Sequence, residues 1–276
     1  MHDQKSSSEF SEATLFAMKQ ARAAGAVHMR YWRSDLVVAD LKNPRDIVTQ
    51  ADHEAEELIT EALHARYPEH AVLGEEDGVS GNPDSKVRWI IDPLDGTSNF
   101  SLGDPTFAVL IAQEVDGEVV SGVVFFPATD EMYVAEKGKG AFRNGERLRG
   151  VRQVSDISQM YGNTHMSSKV ADRKRTMATY RRLMDPDQEP SVRNMLVLQA
   201  CIARGLVMVA DGISDFHVRS GVNWWDFAAG KLLAEEAGAV ATDLVGLPLT
   251  AESHGALIAS AAAHPAVLDL VRSLDV

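Results

Sequence analysis

The chain has one cysteine, Cys201, in 276 residues. An internal disulfide is therefore excluded, and so is a zinc site built on several thiolates. Basic residues are also scarce. Lysine and arginine number 27 against 40 aspartates and glutamates, for a formal net charge of −13. A general nucleic-acid binder needs cationic surface to meet phosphates, so nucleic acid is not expected as a partner. No apolar run reaches membrane-spanning length. The opening stretch, Met1-His2-Asp3-Gln4-Lys5-Ser6-Ser7-Ser8-Glu9, lacks the apolar segment that a signal peptide needs. The expectation is a cytoplasmic protein with no membrane partner. Hydrophobic residues make up 45% of the chain, enough for a substantial core in one large domain or two moderate ones. So acidic a chain can still bind anionic substrates if a bound cation reverses the local sign.

The most informative stretch is Trp89-Ile90-Ile91-Asp92-Pro93-Leu94-Asp95-Gly96-Thr97-Ser98-Asn99-Phe100. Trp89 to Ile91 read as a buried strand, Pro93 is expected to turn the chain, and Gly96, Thr97 and Ser98 suit a helix start. Two carboxylates then stand at a strand end beside backbone N–H groups able to hold an anion. Carboxylates suit a hard cation such as Mg²⁺, and the N–H groups suit a phosphate. Together they are the equipment of metal-assisted phosphate ester hydrolysis.

Elsewhere the pattern predicts a helix over 11–32, a short strand at Ile47-Val48, and a second helix with Ala55, Leu58, Ile59 and Ala62 on one face. Thr49-Gln50-Ala51-Asp52 reads as its capping box. Strands are expected at Ala71 to Leu73 and Arg88 to Ile91, with a polar loop from Gly78 to Lys86. Thr106 to Ala135 reads as an antiparallel meander, and Asn144-Gly145 as a hairpin turn. Beyond a boundary near Gly150, residues 191–204 are expected to be helical, and Leu206 to Val209 and Asp215 to Val218 to be strands. Asp226 to Ala237 is expected to be a helix ended by Gly238, Leu257 to Ser260 a strand, and the tail from Pro265 a helix.

Each candidate residue also has a plain structural reading. Glu75, in Gly74-Glu75-Glu76-Asp77, suits a solvated turn. Asp92 and Asp95 suit turn and cap positions. Asp226 suits a helix N-terminus, Asp52 a capping box, and Thr97 a helix start. Lys42 suits the surface, and Cys201 a buried apolar position.

Taken jointly, these segments resemble the inositol monophosphatase superfamily, the lithium-sensitive, Mg²⁺-dependent phosphomonoesterases. The resemblance runs from about Lys42 to Asp243. It rests on Asp46-Ile47-Val48-Thr49-Gln50-Ala51-Asp52, Gly74-Glu75-Glu76, the Asp92 to Phe100 motif, Gly138-Lys139-Gly140-Ala141-Phe142-Arg143-Asn144-Gly145 and Trp225-Asp226-Phe227-Ala228-Ala229-Gly230. It implies an α/β fold, a layered αβαβα sandwich. A large antiparallel sheet would occupy the N-terminal part (1–149) and a smaller mixed sheet the C-terminal part (150–276).

The resemblance also assigns roles. Glu75, Asp92, the Leu94 carbonyl, Asp95 and Asp226 would hold two or three Mg²⁺ ions. Gly96 and Thr97 would bind phosphate through backbone N–H groups, and Thr97 with Asp52 would orient the attacking water. Glu75 is counted with that pair as catalytic. Lys42 would stand near an outer metal site. A homodimer is expected, acting on a small phosphorylated metabolite.

The specificity region departs from the inositol phosphatase pattern. Arg219, seven residues before Asp226, stands where family enzymes that act on inositol phosphate have a glutamate. A guanidinium cannot accept hydroxyl hydrogens. It can hold a second phosphate or a carboxylate in a fork. By resemblance, inositol monophosphate is the default expected substrate. The alternatives are fructose bisphosphate, adenosine 3′,5′-bisphosphate and histidinol phosphate. A non-catalytic or moonlighting interaction protein on the same fold is the alternative from another class.

Overall fold

The computed structural model describes residues 10–34, 39–43, 46–167, 169–187 and 189–272. The first half begins with α1 (Glu12–Tyr31), β1 (Ala39–Asn43), β2 (Asp46–Thr49) and α2 (Gln50–Arg66). β3 (Ala71–Gly74), β4 (Val79–Gly81), β5 (Val87–Asp95) and the single-turn α3 (Thr97–Ser101) follow. Then come β6 (Ala108–Val115), β7 (Glu118–Phe126), β8 (Glu131–Glu136), β9 (Gly140–Arg143) and β10 (Glu146–Arg147). The second half contains β11 (Tyr161–His165), α4 (Val170–Met184), β12 (Asn194–Leu198), α5 (Ile202–Ala210) and β13 (Phe216–Ser220). It closes with α6 (Trp224–Glu236), β14 (Ala239–Thr242), β15 (Gly255–Ser260) and α7 (His264–Val271). Lys42 lies on β1, and its side chain is outside the described part of the structure.

Eight strands form the large sheet in the order β10-β9-β8-β7-β6-β5-β3-β4, and five form the small one in the order β12-β11-β13-β15-β14. The large sheet is antiparallel except where β3 runs parallel to β5. The small sheet is mixed. Helices α1 and α2 cover one face of the large sheet, and α6 covers the other. Helix α5 lies between α6 and the small sheet, and α4 and α7 close the far side. The result is the five-layer αβαβα arrangement.

Strand alternation accounts for the layering. In β6, Leu110 and Ala112 join the core beneath α6, while Val109 and Ile111 join the one beneath α1 and α2. In β15, Ala256 and Ile258 face α5, and Leu257 and Ala259 face α7. Strands buried on both faces read as continuous apolar runs, as these do. Ala228, Ala229 and Gly230 are all buried on α6, which lets that helix lie close between its neighbours.

Four local expectations are corrected. Strand β5 does not stop at Pro93. It continues to Asp95 through a bulge, with Asp92 opposite Leu110 and Asp95 opposite Ala108. Proline has no N–H to donate and is accommodated at such a break in the ladder. Residues 194–198 form β12, paired in parallel with β11, rather than a helix. Leu206 to Val209 belongs to α5, not to a strand. An apolar run of four residues is too short to separate a helical period from a strand. Part of the Gly78 to Lys86 loop is the edge strand β4. Among the described residues no helix is long and apolar enough to cross a membrane.

Candidate active site

The C-terminal end of β5 is the centre of the site. Gly96 follows it with a φ of 99°, a left-handed conformation that favours glycine, and lets the chain turn directly into α3. The bulge and this turn bring Asp92, Leu94, Asp95, Gly96 and Thr97 to one cavity of about 520 Å³. Glu75 joins them from the end of the adjacent parallel strand, Arg219 from β13 and Asp226 from the first turn of α6.

Oxygen atoms of Glu75, Asp92 and Asp226 all lie within 4.8 Å of one another. Asp92 is buried, and its Oδ1 accepts the Leu94 N–H at 3.0 Å. Burial chiefly, then the charges of Glu75, Asp95 and Asp226, holds its carboxyl well above the usual range. Asp226 is pushed up to about 7 by burial, against the opposing pull of the Arg219 guanidinium. Arg219 Nη1 lies 3.9 Å from Asp226 Oδ2, and the Asn223 amide donates to the same oxygen at 3.3 Å. Asp95 lines the same cavity but is tied to the start of α5. Its Oδ1 accepts the Ile202 N–H at 2.9 Å, and its Oδ2 accepts the Ala203 N–H at 2.7 Å. Burial raises this carboxyl too, with those N–H groups pulling it down.

Asp52 and Thr97 come together although 45 residues separate them. The Thr97 hydroxyl is 3.0 Å from Asp52 Oδ1 and 3.0 Å from the Leu94 carbonyl oxygen, either of which can accept its proton. Asp52 Oδ2 accepts the Thr49 N–H at 2.8 Å and the Thr49 hydroxyl at 2.6 Å. The expected capping box of α2 is therefore present. Burial raises Asp52 to about 6, against the hydrogen bonds from Thr49. One carboxylate thus closes a helix and faces the site.

One residue of the site, Glu56, escaped the sequence reading. Glu56 accepts the N–H groups of Glu76 at 3.0 Å and Asp77 at 2.8 Å, which fixes the turn that carries Glu75. Its carboxylate sits so close behind Gly74 that a Cβ there would lie 2.0 Å from Glu56 Oε1. The signal was an acid one helical turn beyond Asp52, on the buried face with Ala55 and Ile59. Arg173 of α4 also lines the cavity, and its Nε donates to the Ser167 carbonyl at 3.0 Å. Cys201 is buried as expected but is not in purely apolar surroundings, because its Sγ lies 3.2 Å from Asp95 Oδ2.

All the converging donors are carboxylate oxygens. Asp92 and Asp226 are buried, Glu75 is half-buried, and the three repel one another. Such a set fits a hard divalent cation and does not fit a soft one. The fold and site therefore define a layered α/β protein with an acidic, cation-competent cavity where strands of both sheets converge. More particularly, the chain belongs to the inositol monophosphatase family, whose model matches residues 9–275. An inositol-1-monophosphatase of Mesorhizobium japonicum is 38% identical over 243 residues, which is 85% of this chain and 86% of that protein. The Nus factor SuhB of Escherichia coli K12 is 35% identical over 233 residues, covering 83% and 84%. The crystal structure of the extragenic suppressor protein suhB from Bartonella henselae superimposes with a TM-score of 0.87 at 30% identity. That match covers 95% of this chain and 99% of the other.

Proposed function

We propose that the chain is a Mg²⁺-dependent phosphomonoesterase that uses water as the nucleophile. The observation that carries this reading is the convergence of Glu75, Asp92 and Asp226 in the cavity that Thr97 also lines. Glu75, Asp92, Asp226, Asp95 and the Leu94 carbonyl would hold two or three ions. Bound there, Mg²⁺ supplies charge neutralisation for the phosphoryl oxygens and lowers the pKa of the attacking water. The N–H groups of Gly96 and Thr97 hold the phosphate at the start of α3. Thr97 takes a proton from the attacking water and passes its own to Asp52, while Glu75 keeps that water in place. The water oxygen bonds to phosphorus as the ester P–O bond breaks, and the leaving alkoxide takes a proton from solvent. No covalent enzyme intermediate is needed.

On this reading residues 1–149 carry most ligands, and residues 150–276 contribute Asp226 and the substrate contacts. The enzyme is a cytoplasmic, lithium-sensitive homodimer, and sedimentation at micromolar concentration reads its association state. Phosphate release from a panel of monoesters, with and without Mg²⁺, tests the activity. The panel also tests the reading as a non-catalytic interaction protein, which draws on the relatives named Nus factor SuhB.

Arg219 is proposed to select a substrate with a second anionic group. Among the described residues its buried Nε and Nη1 have no hydrogen-bond partner, with Asp226 Oδ2 at 3.9 Å from Nη1, which leaves both able to donate to such a group. Fructose bisphosphate and adenosine 3′,5′-bisphosphate are therefore favoured over inositol monophosphate and histidinol phosphate. Losing a charge-assisted hydrogen bond costs about 1.5–3 kcal/mol. Arg219→Gln should accordingly lower kcat/KM on a bisphosphate by roughly tenfold to a hundredfold, and lower it much less on inositol monophosphate. An equal fall on both substrates would mean that the guanidinium only offsets Asp226 and Asp95.

A further inference from the structure

A second cavity, of about 980 Å³, lies between α4 and β12. Met166 and Val197 belong to the walls of both cavities, so this groove opens beside the carboxylate site. Its character is opposite. Met177, Tyr180 and Met184 line it, with the cations of Lys174 and Arg181 and the carboxylate of Asp185 also in its wall. Met177 is 57% exposed and Val197 46%, high values for such side chains. Among the described residues β12 is the edge of the small sheet and pairs only with β11.

We propose that this groove is the subsite for the leaving group of the substrate, and that its occupant is an aromatic ring carried on the ester's alcohol. The proposal rests on the phosphatase reading above. Three observations support it. First, the groove lies next to the catalytic cavity, with Met166 and Val197 lining both. An ester whose phosphate sits at Gly96 and Thr97 reaches the groove past those two side chains. Second, methionines adapt to flat ligands, and their sulfur atoms make favourable contacts with ring edges. Third, Lys174 and Arg181 place cations where a ring face or the charge of an anionic ester would meet them, in a chain whose formal net charge is −13.

The test compares two esters that differ in one O-benzyl group, glycerol 2-phosphate and 1-O-benzylglycerol 2-phosphate. Burial of one ring predicts a kcat/KM for the benzyl ester roughly tenfold to a hundredfold higher with the unmodified protein. Met177→Glu should reduce that ratio about tenfold or more, and Met177→Leu should preserve it. A wild-type ratio near one, or a ratio indifferent to Met177→Glu, overturns the proposal. A change confined to sedimentation also overturns it and makes the groove a contact between copies. If neither ester is hydrolysed in Mg²⁺, the phosphatase reading fails on its own. The groove is then read by methionine methyl NMR with 1-O-benzylglycerol. Shifts at Met177 and Met184 support an aromatic site, and unshifted signals overturn it.

Discussion

Chelation with EDTA is expected to abolish phosphate release, and millimolar Mg²⁺ to restore it. Asp92→Asn is expected to lower kcat/KM by about a thousandfold or more, the scale of removing a preorganised charge at the reacting centre. The same carboxylates predict a stability signature that needs no substrate. Without a cation, Asp92, Asp95 and Asp226 sit above their ordinary range, chiefly because they are buried. A carboxyl whose pKa is raised by folding favours the folded state while it is protonated, below its unfolded value near 4. That contribution is lost as pH rises through its folded value, which for Asp226 is about 7. The chelated protein should therefore melt at a lower temperature at pH 8 than at pH 6. Mg²⁺ should raise the melting temperature by about 3 °C or more at pH 8, and by less at pH 6. Asp92→Asn should stabilise the chelated protein at pH 8 and blunt the response to Mg²⁺. Full turnover in chelator, or melting indifferent to Mg²⁺ at both pH values, would remove the metal from the mechanism.

Much of this site was legible because it is local in sequence. Asp92, Leu94, Asp95, Gly96 and Thr97 lie within six residues, and the apolar run before them marks the strand that carries them. The Thr49–Asp52 capping box was readable for the same reason, since a cap is a contact between near neighbours. The two sheets and the layering followed from the family resemblance and agree with the structure. What was misread depends on distant contacts. Nothing in Asn194 to Leu198 announces a strand until β11 is laid beside it. Leu206 to Val209 was read in too short a window, and the helical period shows only when the less buried Arg204 and Met208, four residues apart, are taken together. Glu56 was overlooked because its partners, Glu76 and Asp77, are 20 and 21 residues away. The position of Arg219 could be counted back from Asp226, but the ion pair of its Nη1 with Asp226 became visible only once β13 stood beside α6.

Thr97→Ala is expected to lower kcat by on the order of a hundredfold or more while leaving KM little changed, the pattern of a group that acts in the proton transfer. The geometry behind this is the 3.0 Å hydrogen bond from the Thr97 hydroxyl to Asp52 Oδ1. A structural explanation competes with it, because Asp52 also caps α2 and such a cap is worth about 1 kcal/mol. The two explanations separate experimentally. Thr97→Ala leaves both Thr49 hydrogen bonds to Asp52 Oδ2 intact, so melting should change little while turnover falls. Thr97→Ser, which keeps the hydroxyl, should recover most of the rate. The pH profile supplies a second readout. With Asp52 raised to about 6, the carboxylate is lost by protonation below that pH and can no longer accept the relayed proton. The rate should then fall on the acid side, approaching tenfold per pH unit. In Asp52→Asn that acid limb should vanish together with most of the activity. Near-normal turnover in Thr97→Ala would reduce the residue to a helix start. A rate loss matched by an equal loss of thermal stability would assign Asp52 to the cap alone.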